Sequence, residues 1–142
     1  EIASACEKYQ SQITSGANSI AQRAAIMALS HKGDDIAHMI QAFQQRKEYF
    51  IQALSQIPGF KVAKPEGAFY AFVDISSYYE KTLEGKTILN SEDFAMYLLE
   101  HVHLTGVPGS AFGDDNCIRF SFATSMENLQ IAIEKLKKAF TK

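Results

Sequence analysis

The stretch Cys117-Ile118-Arg119-Phe120-Ser121-Phe122-Ala123 sets a single arginine in the middle of an apolar strand. Side chains alternate between the two faces of a strand, so Ile118, Phe120 and Phe122 share one face. Arg119 shares the other with Cys117 and Ser121. Removing a guanidinium from water is costly unless it has a partner, and its planar fork matches a carboxylate or a phosphate. Just upstream, Val107-Pro108-Gly109-Ser110-Ala111-Phe112-Gly113 is a loop of small residues that lets backbone approach another group closely. Two readings stay open on this evidence. Arg119 pairs with a structural Asp or Glu, or it is presented to an anionic ligand.

Working outward, hydrophobic periodicity and capping signals place the other elements. Ser19-Ile20-Ala21-Gln22 fits a capping box and opens an alanine-rich helix that ends near His31, with Gly33 breaking it. Asp34 or Asp35 then caps a long helix carrying Ile36, Met39, Ile40, Phe43, Phe50 and Leu54 at helical spacing. Arg46, Lys47 and Glu48 form a solvated patch on it, and Pro58-Gly59 ends it. Residues 60–63 read as a short strand and Pro65-Glu66-Gly67 as a turn. The unbroken apolar run of residues 68–75 predicts a strand covered on both faces. Residues 76–90 are polar and read as a loop. Asn90 or Ser91 caps a helix over residues 92–102, in which His101 continues the packed stripe of Phe94, Tyr97 and Leu98. Residues 104–107 read as a strand. Thr124-Ser125-Met126-Glu127 is a second capping box, opening a last helix with Leu129, Ala132, Ile133, Leu136 and Phe140 toward the core. Lys135, Lys137, Lys138 and Lys142 crowd the end of that helix, where cations complement its dipole. The order predicts an α+β fold, with helices packed on a small mixed or antiparallel sheet.

Composition narrows the function. The 142 residues suit one domain, 46% of them are hydrophobic, and the net charge is −2, which favours neither nucleic acid nor an anionic membrane. No apolar run reaches the length of a membrane span. Cys6 and Cys117 have no metal or disulfide spacing and read as reduced thiols of a cytoplasmic protein. His101 and His103 are two apart, a spacing that does not put both on one helix face for a metal. The serine of Gly109-Ser110-Ala111-Phe112-Gly113 sits one position too early for a nucleophile elbow. There is no dinucleotide fingerprint and no Walker loop. Asp114 and Asp115 read as solvated turn residues. The chain starts at Glu1 without a signal peptide or an initiating Met, and is expected to be a fragment.

Three segments occur in one order: Pro65-Glu66-Gly67-Ala68-Phe69-Tyr70, residues 107–113, and Ile118-Arg119-Phe120-Ser121-Phe122-Ala123-Thr124-Ser125. With Gln10-Ser11-Gln12-Ile13-Thr14-Ser15 and the following Ser19-Ile20-Ala21-Gln22, they resemble the C-terminal part of class I/II, fold-type I aminotransferases. The resemblance is greatest to bacterial aspartate aminotransferases. It implies dependence on pyridoxal 5′-phosphate, an amino acid and a 2-oxo acid as substrates, and a homodimer. It makes residues 1–32 the tail of the large cofactor-binding domain and residues 33–142 the small C-terminal domain with its long linking helix. Arg119 resembles the arginine that holds the substrate α-carboxylate, and Phe69 lines the pocket beside it. Pro108-Gly109-Ser110 lies near the substrate mouth. Ser15 resembles a residue that reaches the cofactor phosphate of the neighbouring subunit, although Gly16 and Ala17 stand where the family usually has Asn-Pro. The Schiff-base lysine of the family lies N-terminal to such a segment, and Lys8, Lys32, Lys47, Lys61 and Lys64 are not in its context. No catalytic residue is therefore placed here, and the chain alone is expected to be inactive. Residues 8–12 contain no arginine to read a distal carboxylate, so aspartate rests on the resemblance. The alternatives are another fold-type I enzyme and an effector-sensing aminotransferase-like domain of a transcription regulator.

Overall fold

The computed structural model describes residues 1–30 and 34–141, which form two compact units, Glu1–His38 and Met39–Lys142. The first unit holds helices α1 (Ile2–Ile13) and α2 (Ser19–Ser30), neither with a buried residue. Ile2, Ile13, Ile20, Ile26, Met27 and Leu29 are all exposed. The cap of α2 is Asn18 and not Ser19. The Asn18 side chain accepts from the amides of Ile20 (2.9 Å) and Ala21 (3.3 Å), and Gln22 Nε2 donates to Ala17 O. Asn is as good an N-cap acceptor as Ser, and one residue earlier it reaches the same orphan donors. The predicted end near His31 and the break at Gly33 lie outside the described residues.

Helix α3 (Ala37–Leu54) follows a 3-10 turn, Asp34–Ile36, so regular helix starts later than an aspartate cap would give. Its expected apolar stripe is buried only toward the C-terminus, at Phe50, Ala53 and Leu54, while Ile36, Met39 and Ile40 are exposed. Arg46 does not stand free in solvent: it is half-buried, with its guanidinium 5.3 Å from the centre of the Phe43 ring.

The second unit is built on an antiparallel sheet in the order β1 (Lys61–Val62), β2 (Tyr70–Asp74), β6 (Cys117–Ser121), β5 (Val107–Pro108). Both edge strands have two residues, and β5 ends in a proline, which limits pairing with other chains. Residues 76–90 are not a plain loop. They contain a 3-10 turn, Ser76–Tyr78, and a hairpin of β3 (Thr82–Leu83) with β4 (Lys86–Thr87). Glu84 (φ 46°) and Gly85 (φ 85°) both sit in the left-handed region, as a two-residue hairpin turn demands. Glu-Gly is a weaker signal for that turn than Asn-Gly or Asp-Gly, which is why the sequence hides it.

Helix α4 (Ser91–Tyr97) is capped by Asn90, whose side chain accepts from Asp93 N at 2.8 Å. It widens into a π-helical turn over Leu98–Val102. The extra residue shifts the register, so Val102 is buried and His101 is exposed, stacked on Tyr97 with ring centres 5.2 Å apart. Helix α5 (Met126–Phe140) is capped by Ser125, which accepts from Asn128 N at 3.1 Å, while Thr124 Oγ1 accepts from Asn128 Nδ2. The cap is thus one residue later than the Thr124 to Glu127 box predicts. Leu129, Ile133, Leu136 and Phe140 of α5 join Phe50 and Leu54, Phe94 and Leu98, and the sheet residues Ala71, Val73, Ile118 and Phe120 in one core. Phe60, Tyr78, Phe94 and Phe140 form its aromatic centre, with Phe94 stacked on Phe140 at 5.6 Å.

The helices therefore cover one face of the sheet. Strand β2 is fully buried only at alternate residues, Ala71 and Val73, and half-buried at Tyr70, Phe72 and Asp74. The expectation of a strand covered equally on both faces is corrected accordingly. Within the described residues of the Met39–Lys142 unit, the cover on its second face is a few side chains around Arg119.

Candidate functional site

Register fixes what stands around Arg119. It is paired with Phe72 on β2 and with Val107 on β5, and Tyr70 is paired with Ser121. Tyr70, Phe72, Val107 and Arg119 therefore project from the face that points away from the core. The Arg119 guanidinium carbon is 4.2 Å from the centre of the Tyr70 ring and 4.0 Å from that of Phe112. The guanidinium thus makes cation–π contacts with two aromatic rings, and these contacts do not use up its N–H donors.

Among the described residues no carboxylate lies within ion-pair distance of Arg119. The carboxylate on the same face, Asp74, is engaged elsewhere: it accepts from Ser76 N (2.9 Å), Ser76 Oγ (2.6 Å) and Lys61 Nζ (3.2 Å). These contacts, led by the Ser76 hydroxyl and opposed by partial burial, hold its carboxyl below the usual carboxylate range. The reading of Arg119 as half of a structural ion pair loses its support.

Phe112 closes a 3-10 turn, Gly109–Phe112, that follows β5. The turn is pressed against the backbone: a Cβ on Gly109 would lie 2.2 Å from Asp114 O and 2.3 Å from Cys117 O. No other residue fits without moving main chain. Ser110 N donates to Ser91 Oγ (3.3 Å), and Ser91 Oγ and N both donate to Asp115 Oδ1 (2.6 and 3.1 Å). Ser91 is completely buried, and this network satisfies it. Asp114 accepts from Asn116 N and Cys117 Sγ. Asp114 and Asp115 are exposed turn residues, as expected, and their side chains also fasten the loop to α4 and β6. Cys117 is buried beside Asp114, and its thiol is pushed up to about 12, mainly by burial.

Phe69 precedes β2, with its ring 4.4 Å from that of Tyr70, and is 40% exposed. Its carbonyl accepts from Phe122 N at 2.9 Å, which fixes it next to the Arg119 strand. The structure thus brings Phe69, Tyr70, Phe112 and Arg119 onto one surface. Ser15 belongs to the other unit, in the connection between α1 and α2, exposed and with a left-handed backbone (φ 56°). Sequence reasoning missed Phe112 and the Ser91–Asp115 network. A large aromatic between Ala111 and Gly113, in a loop otherwise made of small residues, was the signal for the first. Ser91 and Asp115 are too far apart in sequence to signal their contact.

No group of three or more metal-ligating side chains forms among the described residues, and none of their helices is long and apolar enough to cross a membrane.

The chain is 48% identical over 139 residues to a bifunctional aspartate aminotransferase and glutamate/aspartate-prephenate aminotransferase of Petunia hybrida, covering 95% of this chain and 29% of that protein. It is 44% identical over 137 residues to an aspartate/prephenate aminotransferase of Nitrosomonas europaea, covering 95% and 34%. The crystal structure of the aspartate aminotransferase from Rhizobium meliloti superposes with a TM-score of 0.86 at 39% identity, over 94% of this chain and 34% of that one. The chain spans about a third of the length of these relatives. Residues 1–136 match the family of class I and II aminotransferases, and the chain belongs to that family.

Proposed function

We propose that the full-length protein is a pyridoxal 5′-phosphate-dependent aminotransferase that moves an amino group between an amino acid, aspartate in the first instance, and a 2-oxo acid. The observation that carries this reading is Arg119, half-buried against two rings and without a described carboxylate partner. A guanidinium held this way donates two parallel N–H···O bonds to the α-carboxylate of the substrate and fixes it in position and rotation. The two rings against the guanidinium displace water beside it, so each bond forms in a medium of lower dielectric than solvent. Phe69 gives the same surface an apolar wall. Aspartate follows from the names of the relatives, and the lack of an arginine in residues 8–12 leaves its distal carboxylate to be read elsewhere in the full-length protein.

Members of the family use pyridoxal phosphate as an electron sink. The Ser15–Gly16 turn fits one oxygen of its phosphate. The Ser15 hydroxyl is exposed, and no atom lies within 4 Å of where a Gly16 Cβ would stand, so the backbone is open to an anion. One hydroxyl does not hold the cofactor by itself, and the remaining contacts would come from other parts of a full-length homodimer. Residues 1–32 belong to the cofactor-carrying domain and residues 33–142 to the small domain in this reading; a division of the chain into two units supports it, although that division falls later, between His38 and Met39.

The test is product analysis. Full-length protein is incubated with pyridoxal phosphate, aspartate and 2-oxoglutarate, and oxaloacetate and glutamate are quantified. Equimolar formation of both is expected. Deamination without glutamate formation, or no turnover with aspartate or any of a panel of aromatic and small amino acids, would contradict the reading.

A further inference from the structure

A phenylalanine that is 48% exposed contributes little to a core, yet Phe112 is held in place by unusually many constraints. The turn that carries it is locked by the bonds Gly113 N to Ser110 O (3.2 Å) and Asp114 N to Gly109 O (3.1 Å). Gly113 takes a left-handed backbone (φ 86°) directly after it. The Ser91–Asp115 network ties the same turn to the first residue of α4. This anchoring sets the centre of the Phe112 ring 4.0 Å from the guanidinium carbon of Arg119. The ring also meets Phe72 edge-on, at 6.3 Å between centres, which sets its tilt. Tyr70, half-buried on β2, is the second ring against the guanidinium, at 4.2 Å.

A guanidinium uses its faces for aromatic stacking and its edge for hydrogen bonds, so the two interactions do not compete. Two ring contacts restrict the rotations that would turn the edge away from a ligand, and less freedom is lost when a carboxylate binds. We propose that Phe112 is a positioning residue for the substrate carboxylate, acting through Arg119. The proposal rests on the reading of Arg119 given above. It requires the ring and not merely apolar volume: leucine fills similar space but offers no negative π face to the cation.

The experiment uses full-length protein carrying Phe112→Leu, Phe112→Ala, Phe112→Tyr or Arg119→Lys. Succinate serves as a carboxylate probe that cannot transfer an amino group, with its affinity read by calorimetry. Thermal melting and steady-state kinetics are measured alongside. Phe112→Leu and Phe112→Ala are expected to weaken succinate binding and raise KM for aspartate by about tenfold, with a smaller change in kcat. Phe112→Tyr restores the ring and both values to within about twofold of the unsubstituted protein. Melting of Phe112→Leu stays close to that of the parent, which separates positioning from folding. If Phe112→Leu binds succinate as the parent does while Arg119→Lys binds it weakly, the positioning role is wrong and the reading of Arg119 survives. If Arg119→Lys also binds succinate normally, the reading of Arg119 itself fails.

Discussion

Two residues near the site carry distinct chemical signatures. Cys117 is 6% exposed, with its thiol raised to about 12 by burial and by Asp114, whereas Cys6 is exposed. A thiolate is the reactive form, so native protein treated with a thiol reagent at pH 8 should leave Cys117 unmodified. Denaturant should release it, and modification of Cys117 in native protein, mapped by peptide mass, would contradict its burial. Asp74 lies on the Arg119 face and has a lowered pKa, with the Ser76 hydroxyl as the leading cause. A carboxyl whose folded pKa lies below its unfolded value adds stability that is present above the unfolded pKa. That stability is lost as pH falls through the folded value. Urea midpoints should therefore drop below pH 4 by less in Asp74→Asn than in the parent. Equal acid sensitivity of the two would mean that Asp74 gains nothing from Ser76 and Lys61. At this scale the sequence showed Arg119 as a charge in an apolar strand but not what flanks it. Neither Tyr70 nor Phe112 was legible as a partner of Arg119, because these cation–π contacts join residues from three separate segments.

At the scale of elements, the turn after β5 depends on its fit against backbone. Gly109→Ala would put a methyl 2.2 Å from Asp114 O and 2.3 Å from Cys117 O, so main chain must move. A loss of about 2–4 kcal/mol in unfolding free energy is expected, with weaker carboxylate binding because Phe112 moves with the turn. Unchanged stability by urea titration would show that the turn can relax freely. Ser91→Ala removes the hydroxyl that joins Ser110 to Asp115 and leaves Ser110 N without that acceptor, a loss of about 1–3 kcal/mol. In the Met39–Lys142 unit, helices α4 and α5 were legible from apolar spacing because burial selects that spacing. Caps were legible only to within a residue: Asn18 replaces Ser19, and Ser125 replaces Thr124, since neighbouring polar residues compete for the same orphan amides. The β3–β4 hairpin was missed because its strands have two residues each, too few to show alternation.

For the whole molecule, the α+β architecture followed from the order of elements, and the sheet proves antiparallel throughout. What the sequence did not show is asymmetry of burial. The Met39–Lys142 unit has a core into which Phe94 is fully buried, and Phe94→Ala should lower stability by about 3–5 kcal/mol. The Glu1–His38 unit has apolar residues at helical spacing that are exposed, since periodicity reports which face is apolar and not what covers it. The 142-residue chain by itself is expected to show no transamination with added pyridoxal phosphate, because none of its lysines stands in the context of the family's covalent lysine. The central claim is that Arg119 holds the substrate carboxylate, and single-turnover mixing tests it most directly. Full-length protein loaded with pyridoxal phosphate is mixed with aspartate, without a 2-oxo acid, and conversion of the cofactor to its pyridoxamine form is followed by absorbance. The account predicts clean conversion by the parent protein. It also predicts a fall of about 30- to 1000-fold in the second-order rate for Arg119→Lys, the equivalent of losing a charge-assisted bidentate contact worth about 2–4 kcal/mol. Conversion by Arg119→Lys at a rate close to that of the parent would show that a different residue holds the carboxylate.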